Sequence, residues 1–80
     1  MKITSILKPN KINLELEDIK STIIGEDCTL AQAFTMIENW CNDNGANYPD
    51  VASIWKEKGN MMVKVHTNDN KFINIFNIED

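Results

Sequence analysis

The sequence predicts an α+β protein in which an antiparallel sheet of about five strands, in the order ββαβββ, packs one face against a single amphipathic helix. One segment carries apolar residues at helical spacing, and segments with strand character precede and follow it. No linker, repeat or long run of one charge divides the 80 residues. We therefore expect one domain, residues 1–80, with one small core.

The first two strands are predicted as a hairpin. KITSIL, residues 2–7, is the first strand, and Pro9 ends it because proline fixes φ and has no N–H group to donate. Residues 12–17 alternate apolar and polar side chains, which is the pattern of a strand with one buried face. We expect residues 18–24 to prolong this second strand past a bulge at Asp18.

The helix is predicted from the segment TLAQAFTMIENWCNDNG, which begins at Thr29. Its apolar stripe consists of Leu30, Phe34, Ile37 and Cys41, with Ala33 and Trp40 beside it. Thr29 and Gln32 have the spacing of a capping box at the N-terminus. Gly45 can adopt the left-handed conformation that closes a helix, and Pro49 prevents the helix from resuming.

Three further strands are predicted from the segments VASIWKE, MMVKVHT and KFINIFNI. If residues 68–70 form a three-residue loop, Val63 and Val65 lie across from Ile75 and Ile73, and this β-branched face is expected under the helix. The opposite face then carries Met62, Lys64, His66, Phe72, Asn74 and Phe76.

The side of the sheet on which Trp55 lies depends on the turn that follows it. A two-residue turn at Lys58 and Gly59 places Trp55 on the face with Met62, whereas a loop one residue longer places it in the core. The sequence leaves these two alternatives open.

Charge and composition disfavour several functions. Twelve acidic residues against eight lysines give a net charge of −4, and there is no arginine, so specific nucleic-acid recognition is not expected. No apolar run is long enough for a membrane span, and the N-terminus lacks the apolar stretch of a signal peptide. We expect a soluble cytoplasmic protein that starts at its own Met1.

The candidate catalytic and metal-binding residues do not form a convincing motif. Cys28 and Cys41 would lie about 20 Å apart along a helix, too far for a disulfide, and no metal-ligand spacing is present. Cys41, His66 and Asp43 could form a thiol-hydrolase trio, but the helix C-terminus disfavours a thiolate. Single, distant glycines exclude a phosphate loop. The sequence predicts no catalysis, metal or cofactor.

The preferred functional hypothesis is a small, acidic, non-enzymatic protein-interaction module. Its partner-binding residues are predicted to be Trp55, Met62, His66, Phe72 and Phe76, with Glu15 and Glu17 as carboxylates at the rim. We expect a partner with a basic surface. One class that fits is a phage-type, anti-CRISPR-like inhibitor of a host defence complex, which would act in the host cytoplasm.

Two alternatives remain. The same face could bind a second copy of the chain about a two-fold axis, as in a structural or regulatory subunit. The chain could also bind single-stranded nucleic acid weakly, with Trp55, Phe72 and Phe76 as stacking platforms.

Overall fold

One α-helix and a five-stranded antiparallel sheet form the structure, a computed structural model that describes residues 1–80. The strands are β1 (Lys2–Pro9), β2 (Lys20–Gly25), β3 (Ile54–Glu57), β4 (Asn60–His66) and β5 (Phe72–Glu79), and the helix α1 (Leu30–Asn44) joins β2 to β3. In space the strands follow the order β2-β1-β5-β4-β3. The predicted α+β fold with a single helix is confirmed.

Both ends of α1 are built as the sequence predicts. The Thr29 hydroxyl accepts a hydrogen bond from the backbone N–H of Gln32 at 3.2 Å, and the Gln32 side chain accepts one from the backbone N–H of Thr29 at 2.8 Å. Gly45 ends the helix with a φ of 61°, in the left-handed region. The cap satisfies N–H groups that have no partner within the first turn of the helix.

The buried stripe of α1 is centred slightly differently from the prediction. Ala33, Ile37 and Cys41 are buried, at a spacing of i, i+4 and i+8, whereas Leu30 at the start of the helix is 38% exposed. Phe34, Met36 and Trp40 flank the stripe and pack against the core while remaining partly exposed. The helix therefore packs against the sheet through one narrow face.

Phe76 of the central strand β5 is the largest fully buried side chain. The ring of Trp40 meets it edge to face, with ring centroids 5.7 Å apart and planes inclined by 77°. Aromatic pairs prefer this geometry because the positive ring edge meets the negative ring face. This part of the core is completed by Ile3 and Val63 on the adjoining strands β1 and β4 and by Ile78 on β5 itself.

Two polar side chains are buried on the helix-facing side of the sheet. Asn74 is fully buried and Ser5 is 7% exposed. The Ser5 hydroxyl lies 3.0 Å from Oδ1 of Asn74, to which it donates, and the Asn74 amide donates to the same hydroxyl at 2.8 Å. These hydrogen bonds offset the cost of taking both groups out of water, so a polar pair is tolerated inside a small core.

The predicted strand at residues 12–17 is wrong. Residues 10–19 form a loop that contains a short 3-10 helix at Leu16–Asp18, and β2 begins only at Lys20. Ile12 is 99% and Leu16 is 85% exposed, so the alternating pattern does not mark a buried face. Glu15 and Glu17 accordingly lie in the loop and not on the wet face of a strand.

The predicted orientation of the β5 side chains, towards or away from the helix, is also wrong. Val63 pairs with Phe76 and Val65 pairs with Asn74, so Phe72, Asn74 and Phe76 belong to the helix-facing side, and Ile73 and Ile75 belong to the other. The prediction for β4 is correct, since Val63 and Val65 are buried against the helix. The register differs from the prediction by one residue because the connection between β4 and β5 is one residue longer than expected.

The longer β4–β5 connection is closed by hydrogen bonds around Thr67. The backbone N–H of Thr67 donates to the carbonyl of Phe72 at 3.1 Å, which leaves residues 68–71 as the loop. Within it, Oδ1 of Asp69 accepts from the Thr67 hydroxyl at 2.6 Å and from the backbone N–H of Lys71 at 3.0 Å. Asn70 takes the left-handed conformation with a φ of 61°. Such turns suit Asp and Asn, whose side chains bond to nearby backbone.

The hydrogen bonds to Asp69 also shift its ionisation. The Thr67 hydroxyl, followed by the backbone N–H of Lys71, lowers the pKa of the Asp69 carboxyl. In the β1–β2 loop, the backbone N–H of Glu15 and then the Lys11 side chain lower the pKa of Asp18 in the same way. The two loops lie at the same end of the sheet, where the Asn10 amide donates to the carbonyl of Asn70 at 3.1 Å. Ionised carboxylates thus help to order this end.

The register of β5 can be tested with Phe76→Ala and Ile75→Ala. Truncation of the fully buried Phe76 should lower the free energy of unfolding by about 3 to 5 kcal/mol, whereas the half-buried Ile75 should cost clearly less. Urea unfolding of both variants at low micromolar concentration measures the difference. Phe76→Leu keeps the comparison measurable if the first variant does not fold. A larger loss for Ile75 than for Phe76 would contradict the register.

Acid should destabilise the fold through Asp69 and Asp18. Because both pKa values are lower in the folded than in the unfolded state, the stability they contribute is present above about pH 4 and is lost as pH falls through their folded-state values. Urea midpoints measured from pH 6 down to pH 3 should therefore decrease, and Asp69→Asn should make that decrease shallower. An unchanged profile in the variant would show that the loop hydrogen bonds do not hold the carboxylate ionised.

Candidate functional site

The side of the sheet that faces away from α1 is the candidate site, and we call it the open face. By strand alternation it carries Lys2, Thr4, Ile6 and Lys8 of β1, Ser21 and Ile23 of β2, Trp55 and Glu57 of β3, Asn60, Met62, Lys64 and His66 of β4, and Ile73, Ile75, Asn77 and Glu79 of β5. The chain has one α-helix, which covers the opposite side. No α-helix therefore covers the open face, although Ile73 at one end of it is buried.

One row of side chains crosses all five strands of the open face. Cross-strand pairing places them in the order Trp55, Met62, Asn77, Thr4 and Ile23. Trp55 at one edge is 37% exposed and Ile23 at the other is 51% exposed. The adjoining row contains Lys64, Ile75, Ile6 and Ser21 in the same order. The two rows thus combine five apolar side chains with polar ones, and the most exposed apolar residues, Trp55 and Ile23, lie at the two edges.

Trp55 reaches this face through a tight turn. Glu57 pairs with Asn60 across the two residues Lys58 and Gly59, both of which have positive φ values, 52° and 82°. Two-residue turns with two positive φ values match the twist of the strands that they connect. This resolves the alternative that the sequence left open, because Trp55 pairs with Met62 and lies on the open face.

The two ends of the open face carry different charges. At one end Glu57 lies on β3, and Glu79 on β5 forms an ion pair with Lys2, with 3.2 Å between Oε1 of Glu79 and Nζ of Lys2. Towards the other end lie Lys64 and His66 on β4 and Lys8 on β1. The ion pairs within the chain are Lys2–Glu79 and Lys11–Asp18, so Glu57 and Lys64 have no charged partner. The rim is therefore of mixed charge, and the predicted ring of carboxylates is wrong.

Asn77 at the centre of the row has an unsatisfied polar atom. Its side-chain oxygen Oδ1 is buried and accepts no hydrogen bond within the chain. Most buried polar atoms in folded proteins have a partner, and a missing one costs about 1 to 3 kcal/mol. An unsatisfied amide at the middle of an uncovered sheet face is a local cost to the isolated chain.

The structure brings together only some of the predicted partner-binding residues. Trp55, Met62 and His66 lie on the open face, with Trp55 and Met62 as direct cross-strand neighbours. Phe76 is buried in the core and cannot contact a partner. Phe72 is 42% exposed, but it lies on the helix-facing side of the sheet.

The other predicted groupings are separated as well. Glu15 and Glu17 belong to the loop before β2 and lie outside the sheet. Trp55, Phe72 and Phe76 do not share one face, so they do not form the stacking platform proposed for single-stranded nucleic acid.

Sequence reasoning missed four isoleucines of the open face, Ile6, Ile23, Ile73 and Ile75. A signal for two of them was present in β5, where apolar residues occupy both alternating sets of positions in FINIFNI. A strand that is apolar on both sides is typical of the middle of a sheet whose two faces are covered. Ile73 fits this description, since it is 8% exposed and lies outside the helix-facing core cluster.

The proposed thiol-hydrolase residues do not form a catalytic arrangement. The Cys41 side chain is 2% exposed, and its thiol donates to the carbonyl of Asn47 at 3.7 Å. Burial raises the pKa of the Cys41 thiol, and the charge of Glu38 raises it further. Asp43 is exposed on the last turns of α1. A buried thiol with a raised pKa is a poor nucleophile.

The remaining ligand-forming groups are dispersed. No three His, Cys, Asp or Glu side chains come close enough to hold a metal ion. Cys28 and Cys41 are both free thiols. The cavity beside Cys41, about 280 Å³ in volume, is a shallow depression lined by Glu38, Asn42, Ala46 and Tyr48.

Charge is distributed unevenly between the two sides of the molecule. Residues 21–55, which include α1 and its flanking loops, contain no lysine, and all eight lysines lie before or after them. The acids in this segment are Glu26, Asp27, Glu38, Asp43 and Asp50. The helix side is therefore acidic, whereas the open face carries three lysines and two glutamates.

The fold defines a class, a small α+β protein with one helix on an antiparallel sheet. Its helix is too short and too polar to cross a membrane. No family model matches the chain, and neither does any curated protein or solved structure. Function must therefore be inferred from the geometry of the open face and the charge distribution.

The Cys41 thiol should be unreactive in the folded protein. In a Cys28→Ser variant, a colorimetric disulfide reagent at pH 7 should modify Cys41 at least about tenfold more slowly than the same thiol in urea, because burial blocks access and raises its pKa. A Cys41→Ser variant, which retains the 7% exposed Cys28, provides the matched control. Equal rates for Cys41 with and without urea would contradict the buried position of its thiol.

Proposed function

We propose that the protein is a non-enzymatic interaction module that binds another protein chain with the open face of its sheet. The observation that carries this proposal is the row of Trp55, Met62, Asn77, Thr4 and Ile23, which crosses all five strands with no helix over it. Antiparallel sheets with one solvated face normally carry polar residues there. Contiguous apolar surface on a small protein is typical of an interaction site.

The chemistry of the open face suits a protein partner better than a small ligand. A small-molecule site is usually a concave pocket that encloses most of its ligand. The open face instead presents Trp55 and Met62 beside isoleucines on an extended sheet. Aromatic residues and methionine are enriched at the centres of protein–protein interfaces, where they exclude water.

The expectation of a basic partner has a separate basis, the acidic helix side. A cationic protein would be attracted to the lysine-free segment 21–55, and such attraction would weaken as salt screens the charges. An inhibitor that occupies a basic, nucleic-acid-binding surface of a host defence complex would use this side. Binding through the apolar open face should depend far less on salt.

Site-specific photo-cross-linking tests the proposed surface. A photoreactive phenylalanine analogue at Ile75, at the centre of the open face, should cross-link to a protein chain in an extract of the source cells. The same analogue at Thr35, which is exposed on the outer side of α1, is the matched control and should give few cross-links. Cross-links from position 35 alone would favour the acidic helix side. The absence of cross-links at both positions would contradict an interaction module.

Repeating the cross-linking at increasing salt separates the two surfaces. Cross-links from position 75 should persist from low to physiological salt, because apolar contacts are not screened. Their loss over this range would show that charge, and not the apolar row, holds the partner.

A further inference from the structure

We infer that the partner of the open face is a second copy of the chain, packed face to face about a two-fold axis that crosses the strands at right angles. This inference rests on the proposed function, because it names the occupant of the same surface. Two aligned sheets that pack in this way form a sandwich about 10 Å thick, with side chains of both inner faces interdigitating. The axis lies over the row of Trp55, Met62, Asn77, Thr4 and Ile23.

Charge complementarity is the first argument for a second copy. A two-fold axis across the strands reverses their direction, so each end of one open face meets the opposite end of the other. The row with Glu57, Asn60 and Glu79 then lies over the row with Lys64 in the second copy. Lys64 of the second copy comes between Glu57 and Glu79, and neither Glu57 nor Lys64 has an ion-pair partner inside the chain.

The overall charge is the second argument. With a net charge of −4, two copies repel one another least when they meet on a surface that carries no excess of acidic residues. Lys2, Lys8 and Lys64 outnumber Glu57 and Glu79 on the open face, a local charge of 3 − 2 = +1 with His66 neutral. The acidic, lysine-free segment 21–55 contains α1, which covers the other side of the sheet. In the dimer the two helices therefore lie on opposite outer sides, where their repulsion is smallest.

The central row is the third argument, because each of its residues meets its own copy across the axis. Trp55, Met62 and Ile23 then bury apolar surface that is partly exposed in the isolated chain. The two Asn77 side chains also come together. On rotation of the amide, each can donate to the oxygen that accepts no hydrogen bond within the chain.

Size-exclusion chromatography with light scattering tests the dimer directly. At tens of micromolar the chain should have twice the mass of 9.1 kDa, and Ile75→Lys should reduce it to the monomer. Thr35→Lys on the outer side of α1 adds the same charge and should leave the dimer intact. If Ile75→Lys fails to fold, Ile23→Lys, at a residue that is 51% exposed on the edge strand, replaces it.

Charge reversal tests the orientation. Glu57→Lys and Lys64→Glu should each weaken the dimer, raising its Kd by about tenfold or more, and the double variant should recover most of the loss. Glu38→Lys on α1 is the control, and it should have no such effect. Two single reversals that weaken the dimer without recovery in the double variant would overturn the proposed orientation.

The outcomes separate this inference from the proposed function. A chain that stays monomeric at hundreds of micromolar, but cross-links from position 75 to a different protein, would overturn the second copy as partner and keep the interaction module. A dimer that withstands both Ile75→Lys and Ile23→Lys would overturn the open face as its interface.

Discussion

The length of the connection between β4 and β5 is the constraint on which the rest of the structure depends. Thr67 closes it by bonding to Phe72, and Asp69 accepts two hydrogen bonds inside the loop, which fixes residues 68–71 as the turn. Since side chains alternate along a strand, this length decides that Phe76 and Asn74 lie under the helix. One residue fewer would exchange the two faces of β5 and leave Phe76 outside the core.

A single helix covers only one face of the five-stranded sheet, so apolar side chains on the other face remain partly exposed. The core is small, and it includes the hydrogen-bonded pair of Ser5 and Asn74. Meanwhile Trp55, Ile23 and other apolar residues of the open face remain partly exposed, so part of their apolar surface contributes nothing to the stability of the isolated chain. These partly exposed apolar residues are the ones that the proposed interaction surface would bury.

The sequence predicted what depends on local contacts and failed where distant contacts decide. Thr29 and Gly45 mark the ends of α1 because caps involve residues a few positions apart. The alternation from Ile12 to Leu16 does not by itself form a strand, because a strand needs hydrogen bonds to a partner strand. In the structure these residues are exposed in a loop, and β2 begins only at Lys20. Within the candidate site, Met62 and His66 were placed correctly from the alternation of β4, whereas Phe76 was misplaced because hydrogen bonds from Thr67 and Lys71 to Asp69 cannot be read from spacing.

The confinement of every lysine to the strands and turns affects how the protein can be handled. Reagents that acylate amines, including those used to attach proteins to sensor chips, will modify the sheet and its loops and spare residues 21–55. Lys2, Lys8 and Lys64 lie on the open face itself, so attachment through amines would turn that face towards the solid support. Attachment through carboxyl groups of the helix side would present it to solution. The choice of immobilisation chemistry thus determines which of the two surfaces is available for capture.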